Sequence, residues 1–349
     1  MNGGPMEATM LAAVYEGDQV VSVQTLPVPE PGPGQVLIEV SHCGICGSDL
    51  HFVVEGWAAR PGSVHGHEYS GVIAAIGPDV HGWAVGDRVV GGPGRGCGTC
   101  RLCTDGLTHL CLHRDRPGET PFQGAFARYK RLEAGSLFRI PDGLDLRAAA
   151  LSEPVAVALR GVHRSRARPG DRVLVTGAGP IGLLTIAVLR AEGIDDVTVS
   201  EPGALRRQKA LDVGASAVIT PDDLTIPVSP TPLVDRPFQA AIDCSGRADA
   251  MVAALANLDR QGVLVLSGTG MVRPQLDHLR IILHELVVTG SLEYSRVEFQ
   301  EAIDLLASGR LPVARLVEPD DVPLSAVADA MLRLAGGELA GKVMVVPRA

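Results

Sequence analysis

Two textures of hydrophobic patterning divide the chain. Up to about residue 153, short β-branched runs such as Val36-Leu-Ile-Glu-Val40, Gly71-Val-Ile-Ala-Ala-Ile76 and Asp87-Arg-Val-Val90 are set between turns rich in Gly and Pro. Brief strands bounded by turn residues predict an irregular β-barrel with loops. From about residue 154 to 291 the runs Val173–Thr176, Val197–Glu201, Ala217–Ile219, Ala240–Cys244, Val263–Ser267 and Val287–Ser291 alternate with amphipathic stretches such as Ala248–Leu258. That alternation predicts an α/β unit with a doubly wound parallel sheet. Beyond Tyr294 it stops. Helices are expected near Glu298–Ala307 and Ala326–Ala335, with a last strand at Val343–Val346, so residues 292–349 are expected to pack back and complete the 1–153 domain. The stretch Pro221–Pro237 holds five prolines and predicts a surface loop.

The segment Val173–Leu189 carries no charge, but Gly177, Gly179, Pro180 and Gly182 interrupt it and Arg172 and Arg190 bracket it. It is also short of the roughly 20 apolar residues of a membrane span. A buried strand, a glycine turn and a helix from about Ile181 to Ala191 account for it, because a parallel strand covered on both faces reads as a continuous apolar run.

At 349 residues, 46% hydrophobic and 20% charged, the composition is that of a globular chain of about two domains. A formal net charge of −9 without a basic run argues against nucleic-acid and anionic-membrane partners. The N-terminus shows no charged-then-apolar leader, so a cytoplasmic setting is expected.

Four of the seven cysteines, Cys97, Cys100, Cys103 and Cys111, read C-x-x-C-x-x-C-x7-C. A disulfide framework belongs to short secreted chains, and iron–sulfur runs usually carry a Cys-Pro or a distant fourth ligand, whereas Leu112 follows Cys111. A closed four-thiolate zinc site in a lobe without its own core is the preferred reading. It names no activity.

In the alternating half, Gly177-Ala-Gly179-Pro180-Ile181-Gly182 matches G-x-G-x-x-G, follows a predicted strand and opens a predicted helix. Glu201 ends the next strand about 20 residues on, which completes a dinucleotide-binding context. The first two glycines allow a tight turn and close approach to a pyrophosphate, Gly182 allows helix and strand to pack, and the helix N-terminus offers free N–H groups. A carboxylate at Glu201 suits ribose hydroxyls and repels a 2′-phosphate, so NAD(H) is expected over NADP(H). Arg206 and Arg207 moderate that expectation, and Arg206 is a candidate cofactor contact. A glycine turn that holds nothing is the bland alternative.

An earlier constellation, Cys43-Gly-Ile-Cys46-Gly-Ser48-Asp49-Leu-His51 followed by Gly66-His67-Glu68, joins these two. Together, and in this order along nearly the whole chain, the motifs resemble the zinc-dependent medium-chain alcohol dehydrogenases. The resemblance implies a GroES-like catalytic barrel, a Rossmann cofactor domain, two zinc ions per chain and NAD(H). It implies Cys46 and His67 as catalytic zinc ligands. Ser152-Glu153-Pro154 is similar to the sorbitol, threonine and butanediol dehydrogenase branch, which implies Glu153 as the third. Glu68 is a ligand in some members and a supporting group in others, so the choice between Glu68 and Glu153 stays open. Ser48 and His51 match a proton relay, Asp49 a residue orienting His67, and Lys342 loosely a cation near the cofactor pyrophosphate. His65 departs from the small or apolar residue expected there.

The function implied is hydride transfer between NAD and an alcohol, a polyol or secondary alcohol, giving a ketone or aldehyde, in a homodimer or homotetramer. A zinc hydrolase would give the dinucleotide motif no work. A catalytically silent binding relative would have no physical reason to keep a ligand set beside a proton relay.

Overall fold

The computed structural model describes residues 7–55, 57, 60–94, 96–113 and 121–348. The alternating half forms one six-stranded parallel sheet. Its spatial order is Ala217–Ile219, Asp196–Ser200, Arg172–Thr176, Phe238–Asp243, Leu258–Leu266 and Val287–Gly290. The order reverses between Arg172–Thr176 and Phe238–Asp243, which pair in parallel from Ala240 opposite Val173 to Asp243 opposite Thr176. Ligands of such sheets bind at the carboxyl ends of the strands at that reversal, and the glycine motif begins at Gly177, one residue past the strand end. Val173, Leu174 and Val175 are fully buried, as a strand covered on both faces requires.

The first part of the chain builds two antiparallel sheets. The larger is centred on Gln35–Gly44, which pairs with Glu68–Ile76, Tyr129–Glu133 and the terminal strand Met344–Val346. Pairing with Glu68–Ile76 slips between Leu37 and Ile38 and again between Val40 and His42, and such bulges bend a strand and re-aim its end. The end re-aimed is Cys43-Gly44, which leads to Cys46. The smaller sheet joins Thr9–Gly17 to Val20–Pro27 and Ser63–Val64, strands that the hydrophobic runs alone did not single out.

The tail divides between the two halves. Helix Val327–Ala335 and the last strand enter the core of the antiparallel half through Val327, Met331, Leu334 and Val345. Helix Arg296–Ala307 instead packs Phe299, Ile303 and Leu306 into the core that holds Val155, Leu159 and Val162 of helix Ser152–Ser165. The same helix also meets the first domain, with the Phe299 ring 4.7 Å from that of Phe138 and Arg296 donating to the Gly135 carbonyl at 3.0 Å. Among the described residues no helix is long and apolar enough to cross a membrane.

Candidate active site

The glycine at position 44 sits where the central strand meets Glu68. A Cβ built there would come 2.1 Å from Glu68 Oε2, so the absence of a side chain makes the space the carboxylate occupies. Two residues on, Cys46 precedes the short helix Gly47–Val53, which carries Ser48, Asp49 and His51. Asp49 is 1% exposed. Its oxygens accept from the backbone N–H of Cys46 (3.0 Å) and of Gly66 (3.4 Å) and lie 3.6 Å from His67 Nδ1. One buried carboxylate thus holds both metal-motif segments, Cys46 and Gly66-His67, in fixed relation.

A sulfur of Cys46, a ring nitrogen of His67 and a carboxylate oxygen of Glu68 all lie within 4.8 Å of one another. Glu68 Oε1 receives Nζ of Lys342 at 2.7 Å, while Oε2 is buried without a hydrogen-bond partner. A buried acceptor left open costs free energy unless something fills it. A thiolate, an imidazole and an open carboxylate oxygen form a donor set that suits zinc, and three protein ligands leave the further position a catalytic ion needs.

Glu153, expected as the third donor, stands outside that group of three. It lies in the first turn of helix Ser152–Ser165, 8% exposed. Burial pushes its carboxyl up to about 7, opposed by the charge of His67 and reinforced by Glu68, with Tyr294 and Lys342 also opposing. The structure therefore brings Glu68 to the donors and leaves Glu153 beside them. Lys342 is also placed differently from the expectation: it is 1% exposed, and its ammonium group is engaged by Glu68 and by the Ile45 carbonyl at 3.0 Å. A signal for this was present, since a lysine leading the apolar run Val343-Met-Val-Val346 is bound to be buried and to need a partner.

His51 stacks on Trp57, with ring centroids 4.3 Å apart and an 11° interplanar angle. Its Nδ1 lies 3.0 Å from Oε2 of Glu55, whose side chain is 48% exposed. Ser48 is half-buried in the first turn of the same helix.

The four lobe cysteines have all four sulfurs within 4.8 Å of one another. Backbone N–H groups of Cys97 and His113 donate to the Cys111 sulfur at 3.3 and 3.4 Å, and that of Cys100 to Cys97 at 3.3 Å. The Thr99 hydroxyl and neighbouring backbone N–H groups hold the Cys97 thiol well below the ordinary range. Cys100 is lowered likewise by backbone N–H groups, whereas burial pushes the Cys103 thiol up to about 11, and four sulfurs at this spacing fit a closed four-sulfur zinc site.

At the sheet reversal, Gly177 turns with φ +89°, and a Cβ on Gly182 would come 2.0 Å from the Gly177 carbonyl oxygen. Gly179 caps helix Pro180–Ala191, and a Cβ there would meet nothing within 4 Å. Open space above a helix N-terminus is what a pyrophosphate requires. Ile181 is only partly buried in that first turn. Glu201, 5% exposed, accepts from the N–H groups of Ala178 and Gly203, each at 2.8 Å, and so ties the glycine turn to the end of the second strand. Arg206 donates to the carbonyls of Leu334 (2.8 Å) and Leu339 (3.3 Å) in the catalytic half, and Arg207 to those of Glu201 and Pro202. Both guanidinium groups are thus committed to backbone oxygens.

Comparison with known proteins agrees with this architecture. The alcohol dehydrogenase GroES-like domain matches residues 32–142 and the zinc-binding dehydrogenase domain residues 180–308. Sorbitol dehydrogenase of Bacillus subtilis strain 168 is 34% identical over 345 residues, covering 97% of each chain. The 2-dehydro-3-deoxy-L-galactonate 5-dehydrogenase of Pseudoalteromonas atlantica is 34% identical over 341 residues, covering 96% of this chain and 98% of that one. A zinc-binding dehydrogenase from Sinorhizobium meliloti 1021 bound to NADP superposes with a TM-score of 0.86 at 31% identity, covering 98% of this chain and 100% of that chain.

Proposed function

We propose that this chain, which belongs to the zinc-dependent medium-chain alcohol dehydrogenase family, oxidises a polyol or secondary alcohol with NAD and runs in reverse when the reduced cofactor is plentiful. It is an enzyme of the oxidoreductase class with zinc and a nicotinamide dinucleotide as cofactors. The observation that carries the finer reading is the group Cys46, His67 and Glu68 with its orphaned carboxylate oxygen, in a chain whose glycine turn leaves open space at a helix N-terminus.

When bound, zinc supplies a Lewis acid that acidifies an alcohol, and the nicotinamide supplies the hydride acceptor. Cys46, His67 and Glu68 hold the metal, with Glu153 the adjacent carboxylate. Ser48 takes the alcohol proton, and His51, on the same short helix, passes it on toward solvent. Stacking on Trp57 keeps the His51 ring in one orientation. Gly177, Gly179, Pro180, Ile181 and Gly182 cradle the dinucleotide, and Glu201 accepts from its ribose. The Glu201 carboxylate repels a 2′-phosphate, and Arg206 and Arg207 donate to carbonyls, which supports NAD over NADP. Four lobe thiolates hold the structural zinc.

Helix His278–His284 exposes Leu279, Ile282 and Leu283 beside the edge strand Val287–Gly290. An apolar face next to an open sheet edge supports a homo-oligomer. All seven cysteines are free of disulfides, which supports a reducing, cytoplasmic setting. Incubating the zinc-loaded protein with NAD, then NADP, and a panel of polyols and secondary alcohols while following nicotinamide absorbance tests the reading. Silence across the panel with both cofactors would sink it.

A further inference from the structure

We propose that His65 is a substrate-specificity residue, whose Nε2 hydrogen-bonds a hydroxyl that the substrate carries on a carbon other than the reacting one. The inference rests on the reading of the site as an alcohol dehydrogenase centre, and it narrows the substrate to a polyhydroxylated alcohol.

His65 is 6% exposed, and its Nε2 is buried without a hydrogen-bond partner. Its ring is enclosed by aromatic side chains. Phe52 stacks on it with centroids 5.6 Å apart at 22°, Phe122 tilts against it at 5.2 Å, and Tyr15 meets it edge-on at 6.1 Å. Among the described residues none hydrogen-bonds the ring nitrogen, although the charges of Asp49 and His67 reach the ring. Buried polar atoms in folded proteins are nearly always satisfied, so an orphan in a rigid setting points to a ligand.

The setting is rigid and belongs to the active centre. The His65 carbonyl accepts from Phe126 N–H at 2.9 Å, and a Cβ on Gly124 would come 2.1 Å from that oxygen. Gly66 is bound to Asp49, and His67, two residues on, belongs to the metal-binding group. Phe52 directly follows His51 on helix Gly47–Val53. Phe122 is pinned from behind, its N–H donating to Ser63 Oγ at 3.1 Å and its carbonyl accepting from Val64 at 2.9 Å.

Phe52 and Phe122 are only partly buried, and they pack on each other at 5.2 Å. An apolar wall with a single polar point matches a carbon chain that presents C–H groups along one side and a hydroxyl at a set distance. A monohydric alcohol would fill the wall and leave Nε2 unmet. A site built to bond a hydroxyl discriminates against analogues that lack it.

The test compares His65→Leu and His65→Gln with the wild-type holoenzyme on a linear pentitol and on 2-butanol, with zinc content and thermal midpoint measured for each protein. His65→Leu is expected to lose roughly tenfold or more in kcat/KM on the pentitol, chiefly through KM. Its kcat/KM on 2-butanol should be unchanged, and His65→Gln, which keeps a donor and an acceptor, should recover part of the loss. Equal losses on both alcohols, no loss on either, or a wild type that uses 2-butanol but no polyol would overturn the proposal. A zinc-loaded wild type inert toward both alcohols would instead overturn the dehydrogenase reading itself. If His65→Leu does not fold, the pentitol-to-butanol ratio of His65→Gln, expected to fall below that of the wild type, decides.

Discussion

Nζ of Lys342 lies 2.7 Å from Oε1 of Glu68, with the two side chains 1% and 0% exposed. The pair is separated by 274 residues in sequence, so the terminal strand closes the catalytic half at its most electrostatically demanding point. One carboxylate oxygen is neutralised by the lysine and the other is left for the metal. Lys342→Met would leave Glu68 as an uncompensated buried charge, and removal of one partner from such a pair costs on the order of 3 kcal/mol. A fall of several degrees in the thermal midpoint is expected when each protein is compared with its catalytic zinc removed and its lobe zinc retained, with partial recovery in the Lys342→Met, Glu68→Leu double variant. An unchanged midpoint would show that the pair contributes little.

The two carboxylates near the metal should separate in their zinc retention. Glu68→Gln removes a donor within 4.8 Å of Cys46 and His67, so after brief chelation this variant should retain about one zinc per chain, held by the lobe. Glu153→Gln leaves the group of three intact and should keep the catalytic ion longer under the same treatment, while still losing activity. The reverse order, measured by metal analysis, would make Glu153 the third ligand.

Under the proposed reading Glu201 acts on the cofactor twice. Its carboxylate fastens the glycine turn through Ala178 N–H, and at the end of the second strand it would accept from the cofactor's ribose. Glu201→Ala should raise KM for NAD by about tenfold, the scale of a lost hydrogen bond to a charged group, and should raise the ratio of NADP to NAD activity. Steady-state kinetics with both cofactors check this, and an unmoved KM for NAD would contradict it.

Acid stability should depend on the joint between helices Ser152–Ser165 and Arg296–Ala307. Burial works to raise the Glu298 carboxyl. His163, the backbone and side chain of Ser295, and Arg160 at 3.0 Å outweigh it and hold the group at about 2 against an ordinary 4.5. A depressed carboxylate stabilises the folded state above its unfolded value and loses that contribution as pH falls through its folded value. The term, roughly 3 kcal/mol, should therefore be complete above about pH 4.5 and fade toward pH 2. Glu298→Gln should lower stability at pH 7 and flatten its decline over that window, as denaturant titrations at stepped pH would show.

Much of this was legible from residue order because the chemistry is local. Gly177 to Gly182 with Glu201 specify a turn, and the four lobe cysteines specify a cage within fifteen residues. The doubly wound parallel sheet followed from the alternation of strands and helices. What escaped the sequence was long-range: Lys342 reaching Glu68, Arg206 crossing to Leu334 and Leu339, and the aromatic enclosure of His65 by Phe52, Phe122 and Tyr15. Spacing also could not choose between Glu68 and Glu153, because that choice depends on how the bulged strand ending at Gly44 makes room for one carboxylate. The apolar stripe of 296–307 likewise does not say that it packs on both Phe138 and the helix 152–165.

Transfer of deuterium from the carbinol carbon of a labelled polyol to the cofactor tests the central claim most directly. The zinc-loaded enzyme should deliver the label to the reduced nicotinamide without loss to solvent, and Cys46→Ser depleted of its catalytic zinc should deliver none. Absence of label in the cofactor with the fully loaded enzyme, or undiminished transfer by the depleted variant, would contradict a zinc-dependent hydride transfer at Cys46, His67 and Glu68.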